Sequence, residues 1–351
     1  MSATRRGKAT KAQPKKAAGK PSGKPSTLVT TALLRRWALP SLDGAEGKEE
    51  RGQVMVVGGS ERIPGAVVLA AIGALRAGAG KLQIGTARGV APHVAVTVPE
   101  ACVFPMPSGK KGELTGSGWR VFADQLARCQ SLLVGPGMGD PAAGIALVEH
   151  GVKTQIKATL VLDAAVLEMF EGGKRLSRPH RGGVVLTPHA GEMAKLWGID
   201  KKEVMADPLG VARHTAAALG AVVVMKGECT FIAAPDGTAY HNTSGNLGLG
   251  TSGSGDTLSG VIAGLCARGA DAMQAAVWGV HLHGCAGDIL ARAMGPLGYL
   301  ARELLSEIPP LLAHLTNPGA TGQTGGRVRQ RPDGAQHRKT ARDRGRTLTV
   351  G

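Results

Sequence analysis

Between residues 52 and 227 six short apolar runs recur, and no other feature restricts the possible folds as much. They are GQVMVVGG (52–59), KLQIGT (81–86), SLLVG (131–135), TLVLDA (159–164), GVVLTP (183–188) and AVVVMKG (221–227). Longer amphipathic stretches separate them, which is the pattern of parallel strands joined by crossover helices. From Gly65 to Ala79 the chain sets Val68, Leu69, Ile72 and Leu75 at i, i+1, i+4 and i+7 before a glycine stop, the signal of a buried helix. Further helices are expected at 141–152, 190–197 and 208–219. CTFIAAPDGTAYHN (229–242) puts β-like runs on both sides of Pro-Asp-Gly, which predicts an antiparallel hairpin. A glycine-rich loop, GNLGLGTSGSGDTLSG (245–260), comes next, and helices follow from 256 to about 315. The expected fold class is α/β, a doubly wound, mostly parallel sheet flanked by helices. No internal repeat or Pro/Ser-rich linker interrupts it, so one domain is expected over 27–316.

The formal net charge of +16 would suggest a nucleic-acid or membrane partner if it were evenly spread. It is not. Residues 1–26 carry eight Lys/Arg and no acid, and residues 317–351 carry eight Lys/Arg against Asp333 and Asp343, leaving about +2 for the middle. Both tails are nearly free of aromatic residues and cannot bury enough apolar surface to offset chain entropy, so they are expected to be disordered. They read as solubilising extensions, with weak, salt-sensitive attachment to nucleic acid as the lesser reading. The first tail lacks the apolar core of a secretory signal, and no stretch reaches the ~18 apolar residues of a membrane helix. Five scattered cysteines without a C-x-x-C pair fit a reduced, cytoplasmic setting and not a structural zinc site.

Chemistry concentrates around the glycine-rich loop. Its GLGTSG (248–253) matches G-x-G-x-x-G, but a hairpin precedes it and helices follow, so the dinucleotide-fold reading fails. A Walker A reading fails because the loop carries no Lys-Ser/Thr pair. What remains is a row of backbone N–H groups from Gly253 to Asp256 at a helix start, where the helix dipole favours an anion such as a phosphoryl group. Asp256 taken alone would be an ordinary helix N-cap. Its neighbours argue for more, since TPHAGE (187–192), KGECT (226–230) and GPGMG (135–139) all leave strands at the carboxyl edge of the sheet, where ligands collect. His281 and His283 in HLHG point to different faces of a helix and read as core or surface residues, not as a metal pair.

Taken together these residues resemble the ribokinase-like superfamily and, within it, the ADP- or ATP-dependent NAD(P)H-hydrate dehydratases. The match covers about residues 50–300 through GGSERIPGAVVLAAIGALRAGAGKL (58–82), VGPGMG (134–139), LTPHAGE (186–192), KGECT (226–230) and GNLGLGTSGSGDTLSGVIAGL (245–265), in the family's order. The resemblance implies phosphorylation, by ADP or ATP, of the C6 hydroxyl of hydrated NADH or NADPH (the S epimer), then loss of phosphate to restore the dihydronicotinamide. It implies Asp256 as general base and Gly253, Ser254 and Gly255 as the anion hole. Lys226, Gly227, Glu228, Cys229, Thr230 and Gly255 would line the nucleotide. Ala66, Gly137, Gly139, His189 and Asp256 would meet the hydrated substrate. Magnesium would accompany the nucleotide, held mostly by phosphates and water, with no protein ligand assigned.

The same resemblance implies a homo-oligomer. Many relatives carry an amino-terminal epimerase domain where this chain has a basic tail, so that activity is expected from a separate epimerase chain. Two departures stand out. Family members usually have a second acid two positions after the one matching Asp163, where this chain has Ala165, bearing on nucleotide or magnesium contact. The loop's usual Met-Ala-Thr-Gly-Gly-Thr is here Leu249-Gly250-Thr251-Ser252-Gly253-Ser254, a set of small exchanges that keeps the N–H row. The competing expectations are a ribokinase-like small-molecule kinase of the hydroxymethylpyrimidine or thiazole type, and a basic nucleic-acid-binding protein with an inactive kinase-like core.

Overall fold

The computed structural model describes residues 25–316 except 43, 45 and 46, so both basic tails, apart from Pro25 and Ser26, lie outside the described residues. Ten strands form one sheet: β1 (Thr27–Leu28), β2 (Gln53–Val57), β3 (Lys81–Ala87), β4 (Ala101–Met106), β5 (Ser131–Val134), β6 (Thr159–Leu162), β7 (Val184–Leu186), β8 (Val222–Met225), β9 (Thr230–Ala233) and β10 (Ala239–Asn242). Strands β2 to β8 run parallel in the spatial order β8-β7-β6-β5-β2-β3-β4. The chain winds outward from β2 to β4 and then restarts on the other side of β2 at β5. That reversal opens a crevice beyond the carboxyl ends of β2 and β5, where open α/β sheets bind ligands. β9 is antiparallel to β8 and pairs antiparallel with β10 as the expected hairpin, and β1 closes the edge parallel to β10.

Successive residues of the central strands enter opposite cores, which is why these strands are apolar throughout. Val54, Val56, Leu133, Val161 and Val185 face one side, covered by α1 (Thr31–Arg36), α2 (Pro64–Arg76), α3 (Ala91–Thr97), α9 (Ser254–Ala267), α10 (Ala272–Met294) and α11 (Ala301–Thr316). Met55, Val57, Leu132, Leu160 and Leu186 face the other, covered by α4 (Ala123–Leu126), α5 (Ala142–Lys153), α6 (Ala190–Trp197), α7 (Lys201–Ala206) and α8 (Pro208–Leu219). The expected helices at 141–152, 190–197 and 208–219 are therefore present within a residue. α3 and β4 were not expected from the sequence. Pro105 weakens the strand signal of ACVFPM, and β4 is an edge strand, where a missing N–H is tolerated.

The buried face of α2 differs from the expected stripe. Val68, Leu69, Ile72 and Leu75 are only half-buried, whereas Ala66, Val67, Ala70, Ala71, Gly73 and Ala74 are buried. The cause is the close crossing of α2 with α9. A Cβ at Gly260 would lie 2.1 Å from the Ala70 carbonyl oxygen, and one at Gly264 would lie 2.3 Å from that of Ala74. Small residues face each other there because the backbones nearly touch, and larger ones are displaced to the flanks.

Substituting Gly260→Ala forces a methyl against rigid backbone, an overpacking that typically costs about 1–3 kcal/mol. We expect a Tm lowered by several degrees in thermal unfolding. A Tm within 1 °C of the parent, on the order of the smallest shift expected for such a cost, would show that the helices separate freely.

Candidate active site

Three neighbouring strands deliver polar groups to one place at the carboxyl edge. β6 runs into Asp163, β7 into Thr187 and β8 into Lys226. Asp163 is buried, and its Oδ1 accepts the Thr187 hydroxyl at 2.7 Å and the Lys226 ammonium at 3.2 Å. Lys226 Nζ also lies 3.8 Å from Glu192 Oε2. The backbone around Asp163 is tightly constrained. Gly135 has φ +128°, and a Cβ there would fall 1.8 Å from the Asp163 carbonyl oxygen, while Ala164 takes the left-handed region at φ 54°, unusual for a residue with a side chain. Ala165 then leaves a gap: a cavity of about 310 Å³ is lined by Ala164, Ala165, Glu168, His189, Glu192 and Lys195, among others.

TPHAGE and KGECT meet directly, since the Lys226 N–H donates to the Pro188 carbonyl at 2.9 Å and His189 bridges to Lys226 as a parallel pair. His189 is the N-cap of α6. Its Nδ1 accepts the N–H groups of Gly191 and Glu192 at 3.0 and 3.1 Å, and Glu192 Oε2 accepts the His189 N–H at 2.8 Å. The capping role and a role toward a ligand are compatible. With Nδ1 occupied as an acceptor, the ring's proton sits on Nε2, the nitrogen left for the cavity.

The glycine-rich loop is anchored from outside. Asp288 of α10 accepts the Gly245 N–H at 2.9 Å and the Asn246 side-chain amide at 3.1 Å, and Asn246 Oδ1 accepts the Tyr299 hydroxyl at 2.8 Å. At the loop's end Gly253, at φ +87°, caps α9, so Asp256 is the third residue of the helix and not its N-cap. The Ser254 N–H already donates to the Thr251 carbonyl at 3.3 Å, while its side chain turns inward to His283 Nε2 at 3.0 Å. Burial pushes the His283 pKa down to about 4, so this histidine supports the loop in its neutral form. His281 Nδ1 lies 3.2 Å from Asn242 Oδ1, and among the described residues no cluster of His, Cys, Asp or Glu is arranged to hold a metal ion. Gly255 faces the lysine: a Cβ there would lie 3.4 Å from Lys226 Nζ.

These contacts set the charge states. Burial first, and then repulsion from Asp163 against the weaker attraction of Lys226, raise the Asp256 pKa to about 7. For Lys226, burial by itself lowers the pKa, but Asp163, Glu192 and Asp256 outweigh it and hold the ammonium above its ordinary value. The result is a fixed cation beside a carboxyl that exchanges its proton near neutrality, at the mouth of a helix N-terminus. This is the equipment of a general base next to an anion site.

On the other side of the crevice the loops after β2 and β5 interlock, with the Gly59 N–H donating to the Pro136 carbonyl at 2.8 Å and the Ser60 N–H to the Gly137 carbonyl at 3.0 Å. Gly137, at φ +69°, packs against Ala66, whose Cβ would lie 3.0 Å from one added to the glycine. The Gly139 N–H donates to Glu113 Oε2 at 3.1 Å. Gly227, Glu228, Cys229 and Thr230 form the tight turn from β8 to β9, with the Thr230 hydroxyl 3.4 Å from the Gly227 carbonyl. Sequence reasoning missed Thr187, Asp288, Tyr299 and the His283 support. Only Asn246, a residue suited to turning back on its own backbone, carried a local signal.

The NAD(P)H-hydrate dehydratase family model matches residues 54–310. The chain is 47% identical over 287 residues to an ADP-dependent (S)-NAD(P)H-hydrate dehydratase of Xanthomonas campestris pv. campestris, covering 82% of this chain and 96% of that protein. It is 37% identical to a bifunctional NAD(P)H-hydrate repair enzyme of Moorella thermoacetica, spanning 82% of this chain but only 54% of that relative. A crystal structure of the ADP/ATP-dependent NAD(P)H-hydrate dehydratase from Bacillus subtilis, co-crystallized with ATP/Mg2+, superimposes with a TM-score of 0.71 at 30% identity, over 83% of this chain and 99% of that one.

Titration of Asp256 followed by carboxyl NMR is expected to show a midpoint of about 7. Removing the neighbouring negative charge in Asp163→Asn should lower that midpoint, and removing the cation in Lys226→Met should raise it. Opposite displacements would mean that these groups do not face Asp256.

Proposed function

This chain belongs to the NAD(P)H-hydrate dehydratase family, and from that premise we propose that it dehydrates the S epimer of hydrated NADH or NADPH with ADP or ATP as phosphoryl donor. The observation that carries the reading is Asp256, a carboxyl titrating at about 7 in the first turn of a glycine-capped helix, beside a charged lysine. Asp256 accepts the proton of the C6 hydroxyl while that oxygen attacks the terminal phosphoryl group. The N–H groups of Gly253 and Gly255 and the α9 dipole hold the charge that builds on the phosphoryl oxygens, whereas the Ser254 N–H, expected in the same row, is taken by the Thr251 carbonyl. Glycines and acid thus serve different atoms of one transfer.

Lys226 Nζ faces the phosphates, and Gly227, Glu228, Cys229 and Thr230 line the nucleotide. His189 presents Nε2–H to the hydrated ring, with Ala66, Gly137 and Gly139 against the rest of the substrate. Phosphate then leaves C6 with the C–O bonding pair as the ring nitrogen's lone pair moves in, and loss of a C5 proton restores the double bond. Three carboxylates around one lysine leave a negative excess that suits a cation, and magnesium when bound would neutralise phosphate charge, held chiefly by phosphates and water.

Around this chemistry we read one domain over residues 27–316 with basic, solubilising tails. A homo-oligomer is supported by the exposed apolar side chains of Leu247, Met294, Leu297 and Leu300. A reducing, cytoplasmic setting suits five free thiols.

Incubation with hydrated NADH and each nucleotide should regenerate dihydronicotinamide absorbance with release of inorganic phosphate. A stable phosphorylated product would make the protein a kinase instead. Asp256→Asn should lose ~10²- to 10⁴-fold in turnover. The same variant should be more heat-stable than the parent at pH 8 but not at pH 4. A carboxyl raised from about 4 in the unfolded chain to about 7 in the folded one favours folding fully only below the lower value, and that contribution is lost as pH rises through the upper.

A further inference from the structure

The crevice where the strand order reverses is rimmed by charge that the mechanism above does not use. Arg62 follows β2, Arg88 follows β3, and Lys110 and Lys111 follow β4. All four are exposed, and none forms an ion pair among the described residues. The acids on the same rim, although Glu61 and Asp140 are exposed, are each hydrogen-bonded within the protein. Glu61 Oε1 accepts the Ser108 hydroxyl at 3.0 Å, Glu113 Oε2 accepts the N–H groups of Gly139 and Asp140 at 3.1 and 3.3 Å, and Asp140 Oδ1 accepts the Ala142 N–H at 2.9 Å.

The lysines are held where they are by local structure. Ser108 pairs with Leu114, the Gly109 N–H donates to the Glu113 carbonyl at 2.8 Å, and the Gly112 N–H to the Gly109 carbonyl at 2.9 Å. Gly112 takes φ +75°, so the segment is a tight hairpin with Lys110 and Lys111 at the centre of the turn and a left-handed glycine after them. Its base is fixed to both crevice loops, because the Glu61 N–H donates to the Gly112 carbonyl at 3.0 Å while Glu113 clasps Gly139 and Asp140. Adjacent cations kept at a tip without an acid partner favour a polyanion in front of them.

Helix α2 connects this rim to the anion hole. Gly137 abuts Ala66, and a Cβ at Gly253 would lie 2.4 Å from Leu69 Cδ1. Those two α2 residues are three apart, or about 4.5 Å along the axis. The loop after β5, to which the hairpin is fixed, and the anion hole thus both pack on the first turns of α2, at two sides of one crevice. We propose that Arg62, Arg88, Lys110 and Lys111 bind the diphosphate bridge of the dinucleotide substrate while its hydrated ring lies at Asp256. This assignment rests on the activity proposed above.

The test uses the full chain with Lys110→Ala/Lys111→Ala and Arg62→Ala/Arg88→Ala double variants, and Lys201→Ala/Lys202→Ala on α7 as a control for general loss of charge. In each rim variant the KM for hydrated NADH should rise about tenfold, the equivalent of one lost charge-assisted contact, with kcat and the KM for ADP retained. The Kd of NADH, which carries the same diphosphate and needs no turnover, should rise in parallel. A rise in the KM for ADP instead would give the rim to the nucleotide, and no change in either constant would leave it without a ligand; both outcomes overturn the proposal. If the parent does not turn over hydrated NADH, the proposed activity falls, yet the NADH titration still decides. Parent binding that weakens in the rim variants keeps the assignment, and absence of parent binding removes it.

Discussion

The contact on which the rest of this molecule depends is the crossing of α2 and α9, where Gly260 and Gly264 let one backbone rest on the carbonyls of Ala70 and Ala74. α2 starts at the crevice after β2, and α9 starts at the glycine-rich loop. Pressing them together is what brings a helix N-terminus formed late in the chain to a sheet edge built early. A larger residue at either glycine would move Asp256 away from Asp163 and Lys226, whose positions are set independently by β6 and β8. The packing is close because it is made of the smallest side chains, and so it has little room to adjust.

Within that frame the site is organised by one half-buried cation among several acids. Lys226 is held by Asp163 and Glu192, and Asp163 is itself fixed by Thr187 and by a backbone that only Gly135 permits to pass. The residual repulsion falls on Asp256, which is buried enough to feel it and is not hydrogen-bonded into the cluster strongly enough to escape it. A carboxyl held near neutrality destabilises the fold at neutral pH, which is the usual relation between a poised base and stability. His283 shows the opposite use of burial. It stays neutral and acts only as a brace for Ser254.

His189 shows how a structural role leaves room for the chemical one proposed for it. Capping α6 with Nδ1 fixes the tautomer, and fixing the tautomer decides what the ring can offer a ligand. A capping histidine and a ligand-facing one give the same letters, so sequence does not separate the two roles. In the fold they use different nitrogens.

The alternation of apolar runs, the positions of α2, α5, α6 and α8, the Pro-Asp-Gly hairpin and the five glycine-bearing motifs were legible as letters, because strand burial, turns and N–H cradles depend on residues close together in the chain. Those same motifs sufficed for the family resemblance. What the chain alone did not reveal is every feature made by residues far apart. The small-residue face of α2 appears only once α9 lies on it, and Asp288, Tyr299 and His283 matter only because α10 and α11 pass behind the loop. Tertiary structure also decided the protonation of Asp256. Its pKa is a sum over burial and over charges delivered by three separate strands and loops, and no local pattern encodes that sum.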